Sequence, residues 1–251
     1  MASTGVSAGY QRRRFSGFSF YVPPPTSPVA GYTAWFDSSQ ISGQADASSL
    51  HSWADLSASG YTLTVADTAY PTYYKTTSAK LVNGLPAVWF NGSSSGIGRS
   101  SCSPTSTSGW TAFVVAQNTA ATDTGPIVAQ DNASVQIAHF LRCTSGTLQA
   151  RGWDTSDNPY TATAGSITNG QLFQATGICT GTSLTARLNG VAGSSTSMPN
   201  TKSGSSDLSI GTNSGFENWT GPICEVLLYN APLSAANISA NEAYLSAKWA
   251  T

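Results

Sequence analysis

Charge is scarce in this 251-residue chain: Asp, Glu, Lys and Arg make up 9% of it, against about 25% in an ordinary soluble domain. The formal net charge is −1, so no long-range field draws in nucleic acid or an anionic membrane surface. Glutamate occurs only at Glu217, Glu225 and Glu242, and no two are close in sequence. A strand carrying the neighbouring carboxylates that serve a glycosidase as nucleophile and acid is therefore absent. Histidine occurs only at His51, beside a Ser run, and at His139, in a strand-like run; both are read as structural. No H-E-x-x-H, no P-loop, no G-x-G-x-x-G fingerprint and no G-x-S-x-G elbow leading into a helix is present. The chain is expected to be non-enzymatic.

Cysteine is also sparse. Cys102, Cys143, Cys179 and Cys224 have neither zinc-site nor C-x-x-C spacing. Three of them lie in or beside apolar runs, so buried free thiols are expected, with a Cys179–Cys224 bridge as the alternative. No run approaches the roughly 18 apolar residues of a membrane helix. Residues 1–22 lack the apolar core of a secretory signal. Synthesis and retention in a cytoplasm are expected, and the sequons at Asn91, Asn132, Asn218 and Asn237 are read as incidental.

What fills the chain is Ser, Thr, Gly and Asn, with 40% hydrophobic and 10% aromatic residues, enough to bury a core. The reading is all-β: a jelly-roll-like antiparallel sandwich with one C-terminal helix and an extended N-terminal arm. Residues 1–28 form the arm, which carries Arg12, Arg13, Arg14, Phe15, Phe18, Phe20 and Tyr21 before a proline-rich stretch. Prolines favour an extended spacer, and interleaved Arg and Phe suit a groove on a protein partner. Residues 29–251 form the sandwich. Its predicted strands are Tyr32–Phe36, Tyr61–Val65, Ala87–Phe90, Trp110–Gln117, Ile127–Gln130, Val135–Arg142, Thr147–Trp153, Leu172–Cys179, Ser183–Leu188, Leu208–Gly211 and Ile223–Tyr229. Leu184-Thr185-Ala186-Arg187-Leu188 alternates with period two, and Asn189-Gly190 then signals a type I′ hairpin. Ser234, just after Pro232, can cap a helix in which Ile238, Leu245 and Trp249 recur at helical spacing. That helix is expected against an end or edge of the sandwich.

Three ordered segments carry a resemblance. The first is Gly31-Tyr32-Thr33-Ala34-Trp35-Phe36-Asp37, followed by Ser52-Trp53-Ala54-Asp55-Leu56-Ser57 and Gly60. The second is Asn83-Gly84-Leu85-Pro86-Ala87-Val88-Trp89-Phe90-Asn91-Gly92. The third runs from Gly221-Pro222-Ile223-Cys224-Glu225-Val226 through Pro232-Leu233-Ser234 to Tyr244-Leu245-Ser246-Ala247-Lys248-Trp249. Together they resemble the concanavalin A-like lectin/glucanase superfamily, and more narrowly the laminin-G-like domains common in bacteriophage virion proteins and bacterial surface proteins. The resemblance implies a virion structural protein: a capsid decoration, head-fibre or tail accessory protein. It would be assembled in the host cytoplasm, anchored by its arm to the major capsid or tail protein, and displayed on the virion surface as a homo-oligomer, with a trimer expected. The alternative is a carbohydrate-binding module for host-surface or environmental glycan.

Residue chemistry adds expectations of its own. Trp35, Trp53 and Trp89 are read as core aromatics. Glu225, inside an apolar strand, must either face solvent or accept hydrogen bonds. Sugars stack on exposed aromatic rings flanked by hydrogen-bonding groups. Trp153, Asp154, Asn158 and Tyr160 in one loop, and Phe216, Asn218 and Trp219 in another, are the candidates. No cofactor is expected. Laminin-G-like domains often hold calcium, for which Asp123, Asp131, Asp154 and Asp157 would be the available loop carboxylates.

Overall fold

The computed structural model describes residues 25–120, 124–132, 134–213 and 217–251, without the side chains of Ala66 and Thr124. The expected anchoring residues Arg12 to Arg14, Phe15, Phe18, Phe20 and Tyr21, as well as Asp123 and Phe216, lie outside the described residues. The strands in chain order are β1 (Ala34–Asp37), β2 (Ser48–Ser49), β3 (Val65–Ala66), β4 (Thr72–Tyr74), β5 (Ala87–Asn91), β6 (Ile97–Cys102), β7 (Trp110–Gln117) and β8 (Thr124–Asp131). Then come β9 (Gln136–Thr144), β10 (Thr147–Trp153), β11 (Pro159–Ser166), β12 (Leu172–Cys179), β13 (Ser183–Leu188), β14 (Val191–Ser197), β15 (Ser206–Ile210) and β16 (Thr220–Tyr229). One helix, α1 (Ala235–Trp249), closes the chain.

The strands form two antiparallel sheets. The larger has nine strands, ordered β14-β13-β12-β7-β16-β5-β4-β2, with β1 also on β16. The smaller has seven, ordered β11-β10-β9-β8-β15-β6-β3. Their facing sides enclose the main core, which holds Phe36, Trp53, Trp110, Phe140, Phe173 and Trp219 among others. The chain is thus an all-β sandwich with a C-terminal helix.

The apolar run in β7 shows why the helix lies where it does. Ala112, Val114 and Ala116 point into the inter-sheet core. Phe113 and Val115 point the other way and meet Cys224, Leu227 and Tyr229 of β16. The outer face of the larger sheet is therefore apolar at its centre, and Ile238, Tyr244, Leu245 and Trp249 of α1 cover it. Each large side chain buried this way stabilises the fold by about 1.5–3 kcal/mol. The expected position at an end or edge of the sandwich is corrected: the helix is a third layer. Its start is as expected, with Ser234 Oγ accepting the amide of Asn237 at 3.3 Å.

The predicted hairpin at Asn189-Gly190 is formed, with φ of 48° and 76° at the two residues. Ser145-Gly146 joins β9 to β10 with the same pair of left-handed conformations. Predicted Tyr61–Val65 is not one strand: Leu63 bridges Trp53, and β3 begins at Val65. Strands β2, β4, β6 and β11 were not anticipated. They are short or carry Ser, Thr, Gly and Arg where a core strand would carry apolar residues, as in Ile97-Gly98-Arg99-Ser100-Ser101-Cys102.

All four cysteines are free and buried. Cys179 faces the inter-sheet core and Cys224 faces α1, so no bridge joins them. Of the three expected core tryptophans, Trp53 is fully buried. Trp35 and Trp89 are instead partly exposed, at the margin of the cluster beneath α1.

Candidate ligand-binding face

Two groups of polar side chains stand out, on opposite sides of the sandwich. The first lies between the larger sheet and α1. Asp37 of β1 is directly across from Glu225 of β16. Glu225 is completely buried and accepts four hydrogen bonds: from Trp35 Nε1 at 2.8 Å, Tyr244 OH at 2.9 Å, Trp249 Nε1 at 2.7 Å and Lys248 Nζ at 2.8 Å. Lys248 also pairs with Asp37, whose carboxylate accepts the amide of Ser39 at 2.9 Å. Burial, and then the Asp37 charge, raises the Glu225 pKa against the pull of Lys248. Burial and the nearby Glu225 charge push the Tyr244 phenol far up. A cleft of about 490 Å³ opens beside this group, lined by Pro25, Thr26, Trp35, Asp37, Gln40, Tyr244, Ala247 and Lys248. Yet the oxygens of Glu225 are spent on the protein itself. The network fastens α1 to β1 and β16, the structural role expected of Glu225.

The second group lies on the outer face of the smaller sheet. In β10, Leu148 and Ala150 point into the core, which turns Gln149, Arg151 and Trp153 outward. Arg142 and His139 of β9 are across from Gln149 and Arg151 and share that face. Arg142 Nη1 lies 3.2 Å from His139 Nδ1. Since a guanidinium can only donate, Nδ1 accepts, and the ring N–H on Nε2 donates to Asp131 Oδ2 at 2.7 Å. The other fork of Arg142 donates to Glu217 Oε1 at 2.8 Å. Trp153 packs edge-on against His139 at 5.0 Å, and the Arg151 guanidinium lies 4.9 Å over the indole. Burial, and then the nearby Arg142 charge, lowers the Arg151 pKa. Unlike the network under α1, this group is not fully paired: among the described residues Arg142 Nε and Arg151 Nε are buried with no hydrogen-bond partner.

Further along the same face, toward β3, is a depression of about 230 Å³. Val65, Asp67, Gly98, Arg99, Ser100, Asp207, Ser209 and Thr212 line it, with Val65 52% exposed. Thr212 Oγ1 donates to Asp67 Oδ2 at 3.0 Å, and Arg99 Nη1 to the Gly60 carbonyl at 2.6 Å.

The residues singled out by sequence are placed as follows. Trp153 joins the second group, but it is only 3% exposed and its faces are taken by His139 and Arg151. Asp154 closes the β10–β11 turn. Its Oδ1 accepts the amides of Ser156 and Asn158 at 2.8 and 2.9 Å, and its Oδ2 accepts from Tyr160 OH at 3.2 Å. These bonds hold its pKa below the usual carboxylate range, the Asn158 amide contributing most. Asn158 and Tyr160 thus serve the same turn. Trp219 is completely buried against Phe173, so its ring has no face open to a sugar. Asn218 donates to the Ser93 carbonyl at 3.3 Å. Sequence reasoning passed over Arg142 and Arg151. The available signal was their position, in a chain with only eleven Lys and Arg: Arg142 interrupts the apolar run Phe140-Leu141-Arg142-Cys143, and Arg151 takes the outward phase of Leu148-Gln149-Ala150-Arg151.

Among the described residues, no three of His, Cys, Asp and Glu converge as a metal site. Asp131 is engaged by His139, Asp154 by its own turn, and Asp157 pairs with Lys202.

A laminin-G-like family model, described as the Concanavalin A-like lectin/glucanases superfamily, matches residues 90–239. The chain belongs to this superfamily. No curated protein sequence matches it significantly. Several solved structures share its fold at low identity. The binding domain of Paraclostridial Mosquitocidal Protein 1 aligns with a TM-score of 0.59 and 13% identity, over 86% of this chain and 52% of that one. Trypanosoma rangeli sialidase, in complex with sialic acid, aligns at 0.57 and 13%, over 88% of this chain and 34% of the enzyme. Domain 4 of AbnA, an extracellular arabinanase from Geobacillus stearothermophilus, in complex with arabinotriose, aligns at 0.53 and 14%, over 85% of this chain and 98% of that domain. This concanavalin A-like chain thus spans about half the toxin chain and a third of the sialidase, but nearly all of the arabinanase domain.

Proposed function

We propose that this is a non-enzymatic, lectin-like module that binds glycan on the outer face of its smaller sheet. The observation that carries the reading is the depression between β3, β6 and β15. There the Asp207 carboxylate and the Ser100 hydroxyl flank the exposed apolar surface of Val65. Such a lining matches a sugar, which presents hydroxyls at its edges and C–H groups on its faces. The fold shared with the arabinotriose complex of the arabinanase domain supports the same reading. An oligosaccharide array probed with the full chain tests it. Retention of glycan is expected, with loss in Ser100→Trp, which fills the depression from an exposed strand position. No retention of any glycan, or retention unaffected by the substitution, overturns it. Shortened products after incubation would replace binding with hydrolysis.

The reading extends to display on a bacteriophage virion, with residues 1–28 as the anchor to capsid or tail protein. The path of the chain favours this extension. The Val29 amide donates to Asn241 Oδ1 at 2.8 Å, and Tyr229 OH donates to the Val29 carbonyl at 2.6 Å. The segment thus enters beside α1, on the side away from the proposed glycan face. Binding of the full chain to purified phage particles, lost on deletion of residues 1–28, is the expected result. Equal binding of both forms, or of neither, removes the anchoring role.

A further inference from the structure

Resting on the glycan-binding reading, we propose that the ligand is an acidic saccharide and that Arg151 takes its carboxylate or sulfate group. Among the described residues the Arg151 side chain forms no ion pair and no hydrogen bond; its guanidinium rests on Trp153. The neighbouring acids are committed elsewhere: Glu217 to Arg142 and Asp131 to His139. Arg142 is only 5% exposed, and its Nε also lacks a partner. Two guanidinium groups thus stand close on adjacent strands; the Nη groups of Arg142 are engaged by His139 and Glu217, whereas Arg151 is the more exposed of the two, and its planar fork of N–H groups is well suited to pairing with an oxyanion. Gln149, across from Arg142, adds an uncharged amide on the same face.

Register ties this subsite to the depression. Gly98 is across from Ser209, and Ser209 from Ala129. One residue on, Gln130 is across from Ala138, and the next residue, His139, is across from Arg151. The depression and Arg151 therefore share one row across the sheet. Three strand spacings separate β15 from β10, about 14 Å at roughly 4.8 Å per strand. The outward residues between them, Ala129 and His139, are buried, with Asn213 and Glu217 packed over β9, so an oligosaccharide held at Asp207 reaches Arg151 with its acidic group by passing over those two residues.

The test uses the full chain and three probes: a uronate oligosaccharide, its methyl ester, and a sulfated oligosaccharide of similar length, titrated beside a neutral set. The uronate, the sulfated probe or both should bind at least tenfold more tightly than the ester, and that preference should weaken as salt rises. Which of the two binds identifies the acidic group. Arg151→Gln should remove the preference while leaving the melting temperature unchanged. Arg151→Lys, which keeps the charge but not the fork, should fall between. An ester bound as tightly as the uronate, with no preference for the sulfated probe, overturns the inference. So does an Arg151→Gln variant that keeps the preference. Binding of neutral glycans alone, blocked by Ser100→Trp, overturns it while leaving the lectin-like reading in place. Failure to bind any probe overturns both.

Discussion

Ser194 Oγ accepts the amide of Thr163 at 2.8 Å and donates to the Thr163 carbonyl at 3.1 Å. The two residues belong to the edge strands of different sheets, β14 and β11. One hydroxyl thus does what a neighbouring strand's backbone would do, and Thr196 Oγ1 repeats the contact to the Thr161 carbonyl at 2.7 Å. Unpaired sheet edges invite association with other chains. Here the two edges blunt each other. The close approach requires Gly193, because a Cβ there would lie 2.1 Å from the Thr163 carbonyl oxygen.

Two substitutions test this seam. Ser194→Ala should cost about 1 kcal/mol by removing the hydroxyl's bonds. Gly193→Val should cost about 1–3 kcal/mol by forcing the edges apart. Denaturant unfolding measures both, and light scattering of the Gly193 variant should show association that the parent protein lacks.

Glu225 should be the costliest polar position. Glu225→Ala leaves Trp35, Trp249, Tyr244 and Lys248 without their common acceptor. Breaking a buried ionic network from one side costs about 3–5 kcal/mol. An urea midpoint within error of the parent would show that the network contributes nothing.

The same residue sets a pH dependence. Its folded-state pKa is raised, by burial first and by Asp37 second, so the folded protein holds this proton more tightly than the unfolded chain. The group's contribution is full below the ordinary carboxylate value of 4.5 and is lost as pH rises through the raised folded-state value. The difference in unfolding free energy between the parent and Glu225→Gln, followed against pH, should change across that window and be flat outside it.

Asp154 separates architecture from binding. Because its oxygens hold the β10–β11 turn, Asp154→Ala should lower the melting temperature and leave glycan affinity, measured well below that temperature, unchanged. A loss of affinity without a loss of stability would return Asp154 to the binding site.

The thiols should be silent in the folded protein. Burial raises the pKa of Cys102, Cys179 and Cys224, and Cys143 is buried as well. A thiol reagent should label none of the four cysteines in the native protein and all four in denaturant.

The all-β class, most of the interior strands and the capped helix were legible because apolar periodicity and turn chemistry are local signals. Ala112–Ala116 of β7 and Val226–Tyr229 of β16 are wholly apolar, and Asn189-Gly190 dictates its turn. The edge strand β11 was not legible: it reads Pro-Tyr-Thr-Ala-Thr-Ala-Gly-Ser, which as a string is a loop and becomes a strand through its pairing with β10. The helix's place was hidden for a related reason: an apolar stripe says that something is covered, not which surface. At the candidate site, sequence pointed to loop aromatics, since exposed and buried rings look alike in a string. Trp219 proved to be core, while the outward arginines of β9 and β10 acquire meaning only once two strands lie side by side.

The entry of the chain beside α1 has one more consequence. Copies held through residues before Pro25 would be held from the α1 side, which leaves the smaller sheet on the side away from the attachment. A shallow, partly open site of about 230 Å³ suits weak individual grip. Presented in a parallel array, such sites act by avidity: release of one leaves its neighbours engaged, and the effective local concentration favours recapture.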